Sequence, residues 1–192
     1  PSDILDLQKG WCNGASNLNK IKIIEKAKKN ISLYEDNLLI SKSNKESEIF
    51  DTLIFCFRNA EYVEIPSFIT KIGPFAFSRS SITEISIPSQ ITQICEYAFY
   101  GCKNLQYVEF SADSKLEIIE KYCFKQTLVK RISIPSKISM ICDDAFSICS
   151  LLKRVEIPAD SELRTIGKNA FYDSGIELLH KFLKFRFQIV HI

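Results

Sequence analysis

Two pairs of cysteines recur with one spacing in the second half of the chain. Cys95 and Cys102 lie in the stretch QICEYAFYGCKNL, and Cys142 and Cys149 lie in MICDDAFSICSLL, 47 residues further on. Four thiols in this arrangement could ligate a zinc ion, form disulfides or act as a redox relay. The chain contains 7 cysteines, an odd number, and none is spaced C-x-x-C, so free thiols are the first expectation.

The cysteine pairs belong to an internal repeat. Residues 88–124 match residues 135–171 at eighteen positions when the sequence is shifted by 47 residues, and such a repeat has to be interpreted before any single motif. Each unit divides into two coils, and each coil has a strand-like part in which apolar and polar residues alternate. These parts read AEYVEI (60–65), ITEISI (82–87), LQYVEF (105–110), VKRISI (129–134) and LKRVEI (152–157).

The segments between the strand-like parts predict how the chain returns. A proline follows four of the five parts directly, and a proline there removes a ladder donor and turns the chain out of the sheet. One strand is therefore laid beside the last every 22 to 24 residues. A single coil cannot bury its own apolar face, whereas stacked coils form a continuous core, so the sequence predicts a β-rich repeat solenoid.

The consensus of these coils carries a family likeness. The recurring pattern I-x-I-P-S-x-I-x-x-I-(G/C)-x-x-A-F-x-x-C-x-x-L resembles the BspA-like branch of leucine-rich repeat proteins. The resemblance implies a right-handed leucine-rich-repeat coil of short parallel strands with irregular or short helical return segments. It also implies a surface or secreted protein of bacteria or parasitic protists, of the kind linked to adhesion and to the binding of host and matrix proteins.

We interpret residues 1–192 as a single solenoid. Its predicted parts are a first coil (1–23), an inserted hairpin coil (24–59), five regular coils of 22 to 24 residues (60–176) and an atypical C-terminal cap (177–192). In the inserted coil, the apolar runs LLIS and TLIFCF flank a charged stretch, which predicts a β-hairpin with a solvated tip. In the cap, FRFQIV alternates as a closing strand would, while a membrane contact and a poorly packed end are the alternatives.

The other coils show which residues the cysteine positions accept. Elsewhere the position of Cys95 is held by Gly73, Glu120 and Gly167, and that of Cys102 by Ser80, Thr127 and Ser174. A buried thiol behaves as a small hydrophobe with a weak donor, so it fits where serine or threonine fits. Equivalent cysteines lie two coils apart, or about 10 Å, which exceeds the ~7 Å between Cα atoms that a disulfide spans. We therefore predict structural thiols that form neither a metal site nor a disulfide.

The remaining residues contain no recognisable catalytic or cofactor-binding constellation. His180 and His191 have no carboxylate or thiol at a useful spacing, and the P-loop, G-x-G-x-x-G and H-E-x-x-H motifs are absent from the sequence. Asp113 and Asp160 recur in A-D-S, where a carboxylate could bind calcium or stabilise a turn. The formal net charge of +2 gives no electrostatic reason to expect nucleic acid. We expect no enzyme, no cofactor, no metal and no nucleic-acid partner.

The polar positions of the strand-like parts are the candidate binding residues. The third and fifth positions of each part should point away from the core, towards the open face of the sheet. The candidates are Tyr62, Glu64, Glu84, Tyr107, Glu109, Lys130, Arg131, Lys153, Arg154 and Glu156. The four cations would form a basic patch beside the acidic Glu84 and Glu109. An ordinary solvated sheet with weak cross-strand ion pairs is the alternative interpretation.

These observations favour a non-enzymatic protein-binding or adhesion module that uses its strand face. From the resemblance we expect a cell-surface or secreted protein whose ligands are proteins or glycans on host cells or matrix, or other surface proteins. Because the chain begins with Pro1, we expect it to be part of a longer polypeptide, with any membrane contact made through an anchor elsewhere. A structural spacer of a longer surface protein and an intracellular leucine-rich-repeat scaffold are the alternatives.

Overall fold

The computed structural model describes residues 29–44 and 46–176, together with Cys12, Asn17, Leu18, Ile21 and Ile23. In this part the chain forms a β-solenoid that contains twelve strands and no helix. The predicted solenoid of short parallel strands is thus confirmed, with irregular return segments. The predicted C-terminal cap (177–192) and nearly all of the first coil lie outside the described residues.

Four parallel strands form the front sheet. They are β5 (Glu84–Ile87), β7 (Tyr107–Phe110), β9 (Arg131–Ser133) and β11 (Arg154–Glu156), and they lie side by side in chain order. Ile85, Val108 and Ile132 point inward and are buried, as the alternating pattern predicts.

The first strand-like part, residues 60–65, is not a strand. Val63 and Ile65 are buried and Tyr62 is exposed, so the predicted alternation of burial is present. The chain there lacks a β ladder, and Thr83 N donates to Glu61 O at 3.1 Å next to β5. Alternating burial therefore reports which side chains face the core, but it does not by itself establish backbone pairing.

Two-residue strands mark the opposite side of the coils. They are β4 (Lys71–Ile72), β6 (Gln93–Ile94), β8 (Ile118–Ile119), β10 (Met140–Ile141) and β12 (Thr165–Ile166). β4 pairs in parallel with β6, and β8, β10 and β12 form a second parallel ladder. In each of these strands the second residue is a buried isoleucine that closes the core from behind.

The predicted β-hairpin is present and is joined to this side of the solenoid. β2 (Leu38–Ser41) pairs antiparallel with β3 (Thr52–Cys56), which in turn pairs in parallel with β4. At the tip, Ser43 closes the loop by donating its backbone N–H and its hydroxyl to the Asp51 carboxylate, at 2.8 and 2.6 Å. The sequence analysis did not anticipate β1 (Ile31–Tyr34), which adds a third antiparallel strand beside β2.

A column of stacked rings runs through the core. The phenylalanines of the successive return segments are Phe77, Phe99, Phe124, Phe146 and Phe171, and their ring centroids are 4.9, 5.1, 5.2 and 5.3 Å apart. Coils are spaced by about one strand separation, so equivalent rings stack at nearly that distance. The rings explain why a phenylalanine recurs in every coil.

Each return segment turns through two residues with positive φ, four positions apart. The pairs are Phe75 and Arg79, Tyr97 and Gly101, Tyr122 and Gln126, Asp144 and Ile148, and Asn169 and Asp173. Only one of these ten positions holds glycine, the residue that adopts this conformation without a steric penalty. Stacking compensates part of this penalty in three coils, because Tyr97 lies 4.7 Å from Phe75 and 4.6 Å from Tyr122 between ring centroids.

Candidate functional site: the strand face

The front sheet and the preceding segment place all ten candidate residues on one exposed surface. We call this surface the strand face; it comprises Glu61, Tyr62, Glu64, Glu84, Ser86, Tyr107, Glu109, Lys130, Arg131, Ser133, Lys153, Arg154 and Glu156. Every one of them is exposed to solvent. Tyr62 and Tyr107 are large side chains to leave in water, with exposed fractions of 66% and 47%.

The register of the strands orders these side chains into rows. Glu84 lies beside Tyr107, Tyr107 beside Arg131, and Arg131 beside Arg154. In the second row, Ser86 lies beside Glu109 and Ser133 beside Glu156. Neighbours in a row are about 4.8 Å apart. The first row changes from negative at Glu84 to positive at Arg131, whereas the second row carries only carboxylates and serines.

The strand face is divided by charge. Residues 60–65, β5 and β7 carry Glu61, Glu64, Glu84 and Glu109 and no cation, and we call this part the acidic half. β9, β11 and the lysine that precedes each carry Lys130, Arg131, Lys153 and Arg154 with one carboxylate, Glu156, and we call this part the basic half. The predicted basic patch beside acidic residues therefore exists as a contiguous surface.

Most charges of the strand face lack an ion-pair partner in the described part of the chain. Arg154 Nε lies 2.9 Å from Glu156 Oε1, but both side chains are well exposed and the pair adds little stability. Lys130 Nζ lies 3.4 Å from the Tyr107 hydroxyl and 5.3 Å from its ring centroid. Lys130 is therefore the group that links the two halves.

A groove opens in the acidic half. It has a volume of about 430 Å³, and its polar lining consists of Tyr62, Glu64, Glu84, Ser86, Tyr107 and Glu109. β1 ends near this area, where the Tyr34 ring packs edge-on against Phe68 at 5.3 Å between centroids, although neither ring lines the groove. A hydrogen bond with Glu35 raises the pKa of Tyr34, and the charge of Glu64 adds to this shift. The groove combines aromatic walls with carboxylates, a lining that suits a cationic or hydrogen-bond-donating ligand.

The cysteines lie away from the strand face: Cys56 ends β3, and Cys95, Cys102, Cys123, Cys142 and Cys149 lie in the return segments. All seven are free thiols, six of them buried and Cys142 half-buried. Cys102 Sγ donates to Phe77 O at 2.9 Å and Cys149 Sγ donates to Phe124 O at 3.1 Å, while the Thr127 hydroxyl donates to the same Phe124 carbonyl at 2.9 Å. Cysteine and threonine thus occupy the same buried position of successive coils, and each donates to a carbonyl of a return segment.

The environment of the thiols opposes nucleophilic chemistry. Burial raises the pKa of Cys56 to about 12, although the positive charge of Arg58 acts to lower this pKa. Burial likewise raises the pKa of Cys102 and Cys149. A nucleophilic cysteine needs its pKa lowered towards neutrality, so these thiols stay protonated.

The sequence analysis missed one buried charged residue, Arg58. Its side chain is 2% exposed; Nη1 donates to Cys56 O and Ala76 O, both at 3.1 Å, and Nη2 donates to Phe75 O at 3.3 Å. The guanidinium also lies 4.1 Å from the Phe55 ring centroid. Arg58 stands 22 residues before Ser80, in the position that holds serine, threonine or cysteine in later coils. An arginine in a position that otherwise holds small residues was the one feature of the sequence that could have indicated this buried charge.

The aspartates of the A-D-S motif form turns. The Ser111 hydroxyl donates to Asp113 Oδ1, and this bond lowers the pKa of Asp113. Within the described residues, no group of three His, Cys, Asp or Glu side chains is arranged to hold a metal ion. The described residues likewise include no helix with the length and hydropathy to cross a bilayer.

Comparisons with known proteins identify the repeat. The BspA type leucine rich repeat region matches residues 47–177 in six copies. No match was found among curated proteins.

Solved leucine-rich repeat structures share the fold. A leucine-rich repeat protein from Bacteroides ovatus is 27% identical with a TM-score of 0.59, over 66% of this chain and 33% of that protein. A leucine rich cell surface protein from Faecalibacterium prausnitzii is 26% identical with a TM-score of 0.61, over 72% of this chain and 39% of that protein. A leucine-rich repeat protein from Eubacterium ventriosum, 19% identical with a TM-score of 0.62 over 88% of this chain and 56% of that protein, supports the fold alone.

The chain thus aligns with little more than a third of the first two structures. The likeness to these structures and the six matched repeats agree with the solenoid described above. This chain belongs to the BspA-type leucine-rich repeat family.

Proposed function

We propose that the chain is a non-enzymatic protein-binding module of a cell-surface or secreted protein and that it binds through the strand face. One observation carries this proposal: Glu64, Glu84, Glu109 and Arg131 are exposed, adjacent and without an ion pair within the described residues. Such side chains give specificity and fast association when a partner supplies the complementary charges.

The aromatic residues support the same surface. Tyrosine and arginine are enriched among the residues that dominate binding energy at protein interfaces, and both occur in the row that runs through Tyr107, Arg131 and Arg154. The groove beside Tyr62 and Tyr107 provides a concave place for a partner side chain. We infer that the ligands are proteins or glycans of host cells or matrix, or other surface proteins.

The surface location is part of the proposal. One structural relative, from Faecalibacterium prausnitzii, is described as a leucine rich cell surface protein. A stacked solenoid with a polar, exposed sheet is suited to presentation outside the cell, because each coil contacts only its neighbours and the face stays open.

A pair of charge-reversed variants tests the proposal. Arg131→Glu with Arg154→Glu should reduce binding to immobilised matrix proteins and cultured host cells by about tenfold or more, because both arginines of the basic half are replaced by carboxylates. The matched control is Lys103→Glu with Arg164→Glu, which makes the same change in net charge at exposed positions outside the strand face. Equal losses in both variants would point to unspecific charge attraction, and binding that survives both would favour a structural spacer.

A further inference from the structure

We propose that the strand face binds a second copy of this chain, with the acidic half of each copy against the basic half of the other. This inference rests on the proposed function in that it names a partner for the same surface. The charge distribution motivates it, because each half carries the charges that the other lacks. The acidic half carries four glutamates and no cation, whereas the basic half carries four cations and one glutamate.

The register defines how two copies would meet. The four front strands are symmetric about a line between β7 and β9. A two-fold axis along that line, parallel to the strands and in the plane of the interface, brings β5 opposite β11 and β7 opposite β9 of the second copy. Glu84 then faces Arg154 of the second copy, and Tyr107 faces Arg131 of the second copy. Each contact occurs twice, as an isologous interface requires.

The other face-to-face arrangement is disfavoured by charge. A two-fold axis along the stacking direction of the coils would place every strand opposite itself. Glu84 would then face Glu84 and Arg131 would face Arg131, and like charges brought together across an interface are destabilising. The charges therefore select the arrangement in which the two solenoids run in opposite directions.

The size of the face limits the strength of the contact. Four strands at about 4.8 Å are about 19 Å wide, and three to four residues at about 3.3 Å are about 10–13 Å long. The front sheet therefore covers roughly 250 Å² at most, well below the ~800 Å² per partner of a standard interface. We expect a reversible dimer that is weakened by salt, because its ion pairs are near solvent. The dimer covers the groove in the acidic half, so association would keep this surface from other ligands until the chains separate.

The test uses two variants with opposite faces. Glu84→Arg with Glu109→Arg replaces the two carboxylates of β5 and β7 with cations, and Arg131→Glu with Arg154→Glu replaces the two arginines of β9 and β11 with carboxylates. In sedimentation equilibrium over a dilution series, the unmodified chain should dimerise, and each variant alone should dimerise about tenfold more weakly or worse. An equimolar mixture of the two variants should dimerise again. In the mixed dimer, Glu84 of the second variant faces the unchanged Arg154 of the first, and the arginine introduced at position 84 of the first faces the glutamate introduced at position 154 of the second. Recovery on mixing also shows that both variants are folded.

The controls separate this inference from the proposed function. Lys103→Glu with Arg164→Glu should leave dimerisation unchanged, and a monomeric unmodified chain over the whole series would overturn the inference. A dimer that neither variant weakens, or a mixture that stays monomeric, would also overturn it.

If the unmodified chain is monomeric and the strand-face variants still lose ligand binding, the proposed function stands and the face belongs to a different partner. If the chain dimerises as described but binds no ligand even at dilutions at which it is monomeric, the proposed function fails and the inference stands.

Discussion

The return segments and the strand face of the same coils differ in whether their side chains find partners within the chain. In the return segments, the recurring rings stack on one another and the recurring thiols and hydroxyls donate to carbonyls of the same or the adjacent coil. On the strand face, the side chains aligned across the ladder change from Glu84 to Tyr107 to Arg131, mostly without ion pairs in the described part. Repeated residues therefore report the stacking of coils, and the residues that change from coil to coil report what the surface can bind.

The ring column gives the largest expected effect. Phe124→Ala should lower the free energy of unfolding by about 3–5 kcal/mol, because it leaves a cavity between Phe99 and Phe146. Tyr107→Ala, in the neighbouring front strand, is the control and should change that free energy by about 0.5 kcal/mol or less, since the side chain is exposed. Chemical denaturation followed by circular dichroism measures both. Similar losses of unfolding free energy in the two variants would contradict the contrast between the column of stacked rings and the strand face.

Arg58 gives the next largest effect. Arg58→Met keeps most of the buried volume but leaves the carbonyls of Cys56, Ala76 and Phe75 without these donors, which should cost about 2–3 kcal/mol. Arg131→Met on the strand face is the matched control and should be nearly neutral. Protection of the backbone amides near residues 56–58 in hydrogen exchange should fall in Arg58→Met alone. An unchanged unfolding free energy would mean that the buried guanidinium is not what holds these carbonyls.

The same contrast explains which structural features could be predicted from the sequence. The 47-residue repeat and the alternation in ITEISI and LQYVEF were sufficient to predict the coils, the front strands and the exposure of every candidate residue. Periodic patterns report burial, and burial in a stacked coil follows directly from the period. The confirmed position of Cys102 was predictable for the same reason, since equivalent positions share one environment.

Features that do not repeat could not be predicted in this way. Arg58 replaces a small residue once, and its partners are backbone carbonyls, which carry no sequence signal. The residues with positive φ include Phe75 and Ile148, types that seldom adopt it, so only the glycine at position 101 indicated these turns. The charge division of the strand face was visible in the sequence, but the register that places Glu84, Tyr107 and Arg131 in one row is a property of the folded sheet.

Unfolding at alkaline pH should test how much a buried thiol, Cys56, contributes to stability. The pKa of Cys56 is about 12 in the folded chain, against an ordinary value of 9.0, so the unfolded chain releases this proton first as pH rises. The contribution of the buried, protonated Cys56 thiol to the free energy of unfolding is fully present below pH 9.0 and is lost as pH rises towards about 12. At about pH 10 the loss should be about 1 kcal/mol, read from denaturation curves at neutral and alkaline pH. Cys56→Ala should show a smaller loss than the unmodified chain, and an equal loss would assign the effect to other groups.

The smallest expected effect on stability belongs to the strand face itself. Arg131→Glu with Arg154→Glu should change the free energy of unfolding by about 0.5 kcal/mol or less, because these cations are exposed and Arg154 makes only a weak, solvated pair with Glu156. The same variant should lose most of its binding, so stability and binding would respond to different parts of one coil. Denaturation and binding assays on a single preparation provide the measurement. A stability loss comparable to that of Phe124→Ala would mean that the strand-face charges hold the sheet together, and the distinction between a structural and a binding surface would then fail.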